Sequence, residues 1–173
     1  MAVGKVEFPL MNKVAGICLG TANAGIKQTE RDDVLLVEMH PDATCAAVFT
    51  QNAFCAAPVL VAREHLKNNP HYLLINSGNA NAGTGEQGLL DAQASCEATA
   101  VVSATQAVQV LPFSTGVIGE RLPINKLIAA LPQAWENKKE DNWSQASLAI
   151  MTTDTFAKGY SKVVGIAGHA VTI

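Results

Sequence analysis

The sequence predicts an α+β layered domain, a sheet with helices packed against it, rather than a doubly wound one. Three observations carry that reading. The 173 residues are 49% hydrophobic and 16% charged, enough for one domain, 1–173, with a sizeable core. Strand-like and helix-like stretches are mixed, but not in a strict strand–helix alternation. Neither an internal repeat nor a low-complexity linker divides the chain.

The elements follow in order. The Gly- and Ala-rich stretch VAGICLGTANAGIKQ (14–28) reads as a strand leading into a loop, and DDVLLVEM (32–39) as a buried strand. TCAAVFT (44–50) is a further strand, and the HPDA turn before it predicts an antiparallel pair with 32–39. VLVAREHLKNN has helical spacing and stops at Asn69-Pro70. YLLIN (72–76) is a short apolar strand opening into SGNANAGTGEQG. From Gly88 to Gln106 the pattern is the clearest helix, with Leu89, Ala92, Cys96 and Ala100 near one face. VQVLPFST (108–115) is a strand. LPINKLIAALPQAW (122–135) opens with proline near a helix N-terminus and puts Ile124, Leu127, Ile128 and Leu131 on one stripe. NWSQASLAIMTTD (142–154) is a short helix with a polar tip, and YSKVVGIAG and AVTI form a hairpin around Gly168-His169. The chain stops at Ile173 within an apolar strand, as a chain cut ahead of a partner segment would.

Charge and composition exclude several function classes. A formal charge of −3 and no basic run longer than Lys138-Lys139 give no footprint for nucleic acid or an anionic membrane. No signal-peptide pattern and no membrane-length apolar run is present. Cys18, Cys45, Cys55 and Cys96 sit in apolar contexts without a CxxC or a neighbouring ligand set, which predicts buried reduced thiols, no metal site and a soluble cytoplasmic protein. His40, His65, His71 and His169 fall outside any nucleophile motif and read as surface or capping residues. Asp32-Asp33 at a strand entry reads as a turn rather than a carboxylate dyad.

Three motifs need weighing. NSGNANAGTGEQG (76–88) has glycines ahead of a helix, but lacks the lysine and hydroxyl of a phosphate loop. Its asparagines are suited to satisfying loop amides, so a tight turn is the favoured reading. STGVIG (114–119) ends a strand in two hydroxyls and a glycine. Backbone N–H groups there could converge as an oxyanion hole, with Gly116 removing the Cβ that would block a substrate. A bulge at a strand end is the other reading, and residue pattern alone favours it. MTTDT (151–155) is a helix-end capping cluster or a substrate-binding hydroxyl cluster, and periodicity does not separate the two.

VFTQNAFCAAPV, INSGNANAGTGEQG, STGVIG and MTTDT, in this order, closely resemble the ornithine acetyltransferase family of bifunctional glutamate N-acetyltransferases. The resemblance runs from GIK (25–27) and Asp32-Asp33 through MTTDT. It implies a layered sheet-and-helix domain completed by a separate β chain. Family members are made as one precursor that cleaves itself before a threonine, which becomes the nucleophile at the new β-chain N-terminus with its α-amine as base. The segment preceding that cut, with a substrate-binding lysine of the family, is absent here, so the resemblance implies an α chain carrying no nucleophile of its own. Carried over residue by residue, Thr115 and Gly116 are the oxyanion donors and Thr152 contacts substrate. The implied reaction is ping-pong transfer of acetyl from N-acetylornithine to glutamate in arginine biosynthesis, in an α2β2 heterotetramer. It needs no metal or bound cofactor, and some members also accept acetyl-CoA as substrate. The rivals are a self-cleaving threonine aminopeptidase and a non-enzymatic module binding a small anion in the NSGNANAGTG loop.

Overall fold

The computed structural model describes residues 7–173. Strands β1 (Ile17–Ala22), β2 (Val34–Met39), β3 (Tyr72–Asn79) and β4 (Val110–Val117) form one sheet in that order. β1, β2 and β3 pair antiparallel, whereas β3 and β4 are parallel. Helix α1 (Ala57–His65) precedes β3, and α2 (Gly85–Ser103) makes the crossover that a parallel β3–β4 pair requires. Helices α3 (Ile124–Glu136) and α4 (Trp143–Ile150) follow, then a separate hairpin of β5 (Val163–Ile166) and β6 (His169–Thr172). The α+β layered fold is therefore as expected, with a single βαβ unit inside it.

Alternation along the strands builds two cores. Ala22, Val34, Leu36, Leu74 and Val110 face α1, α2 and α3 and are buried with Cys96, Leu127 and Leu131. Leu19 and Leu35 face the opposite way and are buried under Ala146 and Ala149 of α4. Each buried leucine contributes about 1.5–3 kcal/mol. α3 lies against β1 backbone to backbone, because a Cβ on Gly20 would sit 1.9 Å from the Ala134 carbonyl oxygen. The predicted helical stripes hold except at Ile128: Ala92, Cys96 and Ala100 are buried on α2, as are Leu127 and Leu131 on α3, with Leu89 and Ile124 packed at the margin, while Ile128 is half-buried outside this core.

The expected strand 44–50 is not one: residues 43–52 run without regular structure. Both edges of β2 are already occupied by β1 and β3, so no ladder is left for it. It is held instead by Arg63, which donates to the Thr50 carbonyl at 3.1 Å and lies over the Phe49 ring. Several boundaries also move: α2 ends at Ser103 rather than Gln106, α4 stops at Ile150 so that TTD lies outside the helix, and β4 runs on to Val117. α2 starts at Gly85 rather than Gly88, β3 continues through Asn79, and the hairpin turns at Ala167-Gly168, both at positive φ, one residue before the expected place. Of the four thiols only Cys96 is fully buried, the other three being half-buried and free.

The two edges of the sheet differ. Lys139 closes the β1 edge through reciprocal backbone bonds with Leu19 at 2.9 and 3.1 Å. Among the described residues no strand pairs with the outer edge of β4, whose Phe113 and Val117 are 42% and 49% exposed. Also among the described residues, no helix is long and apolar enough to cross a membrane.

Candidate active site

The STGVIG motif ends β4 where that strand runs beside the end of β3. Thr115 pairs with Ser77 and Gly116 with Gly78, after which the register slips at Asn79. The bulge favoured by residue pattern is thus present, in a setting where bulges re-aim backbone groups. Two glycines meet there because nothing else fits. Gly116 has φ +138°, and a Cβ on it would lie 2.3 Å from the Gly78 carbonyl carbon and 2.5 Å from the Asn79 nitrogen. Gly78 has φ +98°, and its own Cβ would press on Lys27 Cγ at 2.9 Å. The result is a floor of bare backbone at an open strand edge.

The hydroxyls on either side are handled differently. Ser114 donates to Asn76 Oδ1 at 2.6 Å, and Asn76 Nδ2 donates in turn to the Asn79 carbonyl at 2.8 Å. Ser114 therefore braces the strand ends. Thr115 is half-buried on the other face of β4, opposite Ser77.

The asparagine-rich loop after β3 is spent on itself and its neighbours. Asn79 Nδ2 donates to the carbonyls of Glu120 and Arg121 at 3.0 and 3.2 Å. Asn81, at positive φ, donates from Nδ2 to the Gly88 carbonyl at 2.8 Å and accepts from Thr84 Oγ1 at 2.8 Å. The tight-turn reading holds, and this loop locks the chain that follows Gly116, with Gly119 N–H bonded to the Ala82 carbonyl at 2.8 Å.

Thr152 is exposed in the segment that leaves α4. That segment arrives beside β3: Ser77 Oγ donates to the Ala149 carbonyl, and Lys27 Nζ donates to the carbonyls of Ala149 and Met151 at 3.1 and 2.8 Å. Thr115 and the chain entering Thr152 are thus joined through one β3 residue. Asp154, in the same segment, is paired with Lys158, whose hydrogen bond and charge hold its carboxyl below the usual range.

Sequence reasoning gave Asp33 only a turn role and gave Lys27 none. Asp33 is fully buried, and its carboxylate accepts from the backbone N–H of Ala24, Ile26 and Lys27 at 2.7, 2.6 and 2.9 Å. It is neither half of a dyad nor a surface turn residue, but the clamp of the loop that carries Lys27. Burial lowers the Lys27 ammonium from the usual lysine range, Arg31 adds to the effect and Asp33 and Asp32 oppose it. The available signal was a lone cation inside the Gly- and Ala-rich run TANAGIKQ. The histidines do not gather at the site: His65 Nδ1 bonds the Val110 carbonyl at 2.8 Å and His40 pairs with Asp42. Among the described residues, no group of three or more His, Cys, Asp or Glu is placed to hold a metal ion.

Residues 18–173 match the model of the ArgJ family. The chain is 61% identical over 160 residues to the arginine biosynthesis bifunctional protein ArgJ of Methylococcus capsulatus, covering 92% of this chain and 39% of that protein. It is 47% identical over 173 residues to the protein of the same name from Pseudomonas syringae pv. tomato, covering 100% and 43%. The chain thus spans about two fifths of the length of these curated relatives. Two solved structures share its fold. The ornithine acetyltransferase of Mycobacterium tuberculosis, crystallised with ornithine, superposes with TM-score 0.78 at 38% identity over 82% of this chain and 78% of that one. The ArgJ protein of Bacillus halodurans superposes with TM-score 0.80 at 30% identity, over 92% and 84%.

Proposed function

The chain belongs to the ArgJ family, and on that premise we propose that it is the α part of an acetyltransferase moving acetyl from N-acetylornithine to glutamate. The observation that carries this reading is the Gly78–Gly116 floor beside Thr115, open at a strand edge and too tight for any Cβ. The relative crystallised with ornithine supports the substrate class.

In this reading a threonine at the N-terminus of a separate β chain attacks the acetyl carbonyl of N-acetylornithine. Its α-amine takes the hydroxyl proton. The tetrahedral oxyanion is held by the Thr115 hydroxyl and the Gly116 backbone N–H, fixed donors that need no reorganisation as charge develops. The C–N bond breaks, the amine receives the proton and ornithine leaves, with acetyl esterified to the threonine. The glutamate amine then attacks the ester, N-acetylglutamate departs, and the threonine regains its proton. Thr152 contacts the bound substrate. Acetyl-CoA is an alternative donor by the same route, no resident cofactor or metal takes part, and the working assembly is α2β2 in the cytoplasm.

The test uses the full-length precursor. Intact masses should give two polypeptides, the second beginning with threonine, and label should pass from N-acetyl-[14C]-ornithine to glutamate with ping-pong kinetics. A protein that stays uncleaved, or that releases free acetate or amino acids from peptides without transfer, refutes the reading.

A further inference from the structure

The polar strut between the loop after β1 and the end of α4 carries an inference about the same site, resting on the acetyl-transfer reading. We propose that Lys27 is a positioning residue of this site: bonded to the Ala149 and Met151 carbonyls, it holds Thr152 in register with the Gly78–Gly116 floor.

Three features separate this from ordinary helix capping. A cation at a helix C-terminus needs only the terminal carbonyls of the helix. Lys27 also takes the carbonyl of Met151, which lies past the last turn at φ −65°, ψ 137° and already belongs to the outgoing chain. That bond fixes the direction in which residue 152 leaves.

Second, the lysine is held along its length. Its N–H is on Asp33 Oδ2, and its Cγ lies so near Gly78 that no side chain could come between. Gly78 in turn touches Gly116 through backbone atoms. A rigid path therefore runs from the oxyanion floor through Gly78 and Lys27 to the peptide before Thr152.

Third, Ser77 reinforces the same carbonyl. Its hydroxyl donates to Ala149, and Ser77 is the residue paired with Thr115. Two donors from two different elements converge on the last turn of α4, each tied to one half of the floor. An ammonium with two carbonyl acceptors is worth more than a neutral pair of bonds; its removal takes the side-chain donor from the Met151 oxygen and leaves Ala149 with Ser77 alone.

The experiment compares Lys27→Met, Lys27→Arg, Thr152→Ala and the Lys27→Met/Thr152→Ala double variant in the full-length, self-cleaved enzyme. Lys27→Met should raise KM for N-acetylornithine about tenfold with a small change in kcat, the signature of lost ground-state binding. Lys27→Arg, which keeps the charge and the donors, should recover most of it. In the Thr152→Ala background Lys27→Met should add nothing to KM, because it acts through that residue. An unchanged KM in Lys27→Met, or KM effects that multiply in the double variant, overturns the proposal. Should Lys27→Met fail to fold, Ser77→Ala carries the test: a KM rise of about threefold that vanishes with Thr152→Ala supports the strut, and no rise refutes it. Wild-type enzyme that moves no acetyl refutes the acetyl-transfer reading itself, a result distinct from active wild type with indifferent Lys27 variants.

Discussion

Replacing Gly116 by valine tests the floor most directly. At φ +138° a side chain is strained before any contact is considered, at a cost of about 1–3 kcal/mol. The Cβ would then lie 2.3, 2.5 and 2.6 Å from three backbone atoms of Gly78 and Asn79. Backbone cannot swing aside as a flexible side chain can, so overpacking adds about 1–3 kcal/mol. The cheapest relief is for the β4 end to move away from β3 by the order of 1 Å, which removes the Gly116 N–H from its place. A displacement of that size costs about 10²-fold, and loss of an oxyanion donor about 10²–10³-fold. Acyl-enzyme formation should therefore fall by about two to three powers of ten, read by rapid quench of the acetyl-labelled β chain. Gly168→Ala is the control. Gly168 has φ +83° with open space around it, so a Cβ there meets only the left-handed backbone penalty; the variant should lose about 1–2 kcal/mol of stability and keep its kinetics. A Gly116→Val enzyme with a wild-type burst would remove Gly116 from the mechanism.

The remaining predictions concern stability. Gly20→Ala should lower the thermal midpoint by roughly 4–10 °C, since a Cβ would enter the Ala134 carbonyl and α3 must lift; an unchanged midpoint refutes the backbone-to-backbone contact. Asp33→Asn should cost about 1–3 kcal/mol by removing one acceptor oxygen, with faster amide exchange at Ala24, Ile26 and Lys27 but not in α2; protection that stays even across both regions would count against the clamp. Burial pushes the Cys96 thiol up to about 12. The folded pKa exceeds the unfolded value of ~8.5, so the unfolded chain loses its proton first and stability falls as pH rises between the two, by about 1.4 kcal/mol per pH unit. Denaturant midpoints across that window should fall less steeply for Cys96→Ala than for wild type, and parallel profiles would refute the assignment.

What was legible in the sequence is what buried stripes write into it. α2 and α3 announce themselves because their small and branched residues recur at helical spacing against one sheet face. The strand expected at 44–50 fails because alternation records a segment's own preference and not whether a neighbouring edge is free. β3 was cut short for the converse reason: Ser77, Gly78 and Asn79 carry no apolar pattern, yet they continue the ladder through backbone alone. That polar extension is where the proposed site lies. Thr115 and Gly116 stood out as a hydroxyl and a glycine at a strand end, but residue pattern alone favoured a bulge there, and their donor role came with the family resemblance. Lys27 was legible only as a lone cation in a Gly- and Ala-rich run, since its partners are backbone carbonyls 122 and 124 residues away, and a carbonyl leaves no signature in residue type.

The junction at Gly78 is made from directional bonds where apolar packing would have sufficed for stability. Asp33, Ser77 and Asn76 are all buried, and each would be costly if left unpaired. A carboxylate accepting three fixed N–H groups ties all three to one point, a directional constraint that non-directional apolar contact does not supply. The site proposed above, with two donors at one strand edge and a hydroxyl beyond a remote helix end, draws on such directional joints. The sheet's asymmetry fits the same requirement. Lys139 closes the β1 edge, on the opposite side of the sheet from Gly116, while among the described residues no strand covers the β4 edge that carries Gly116. Rigidity has been placed behind the floor and access in front of it, the arrangement needed if the attacking group comes from another polypeptide.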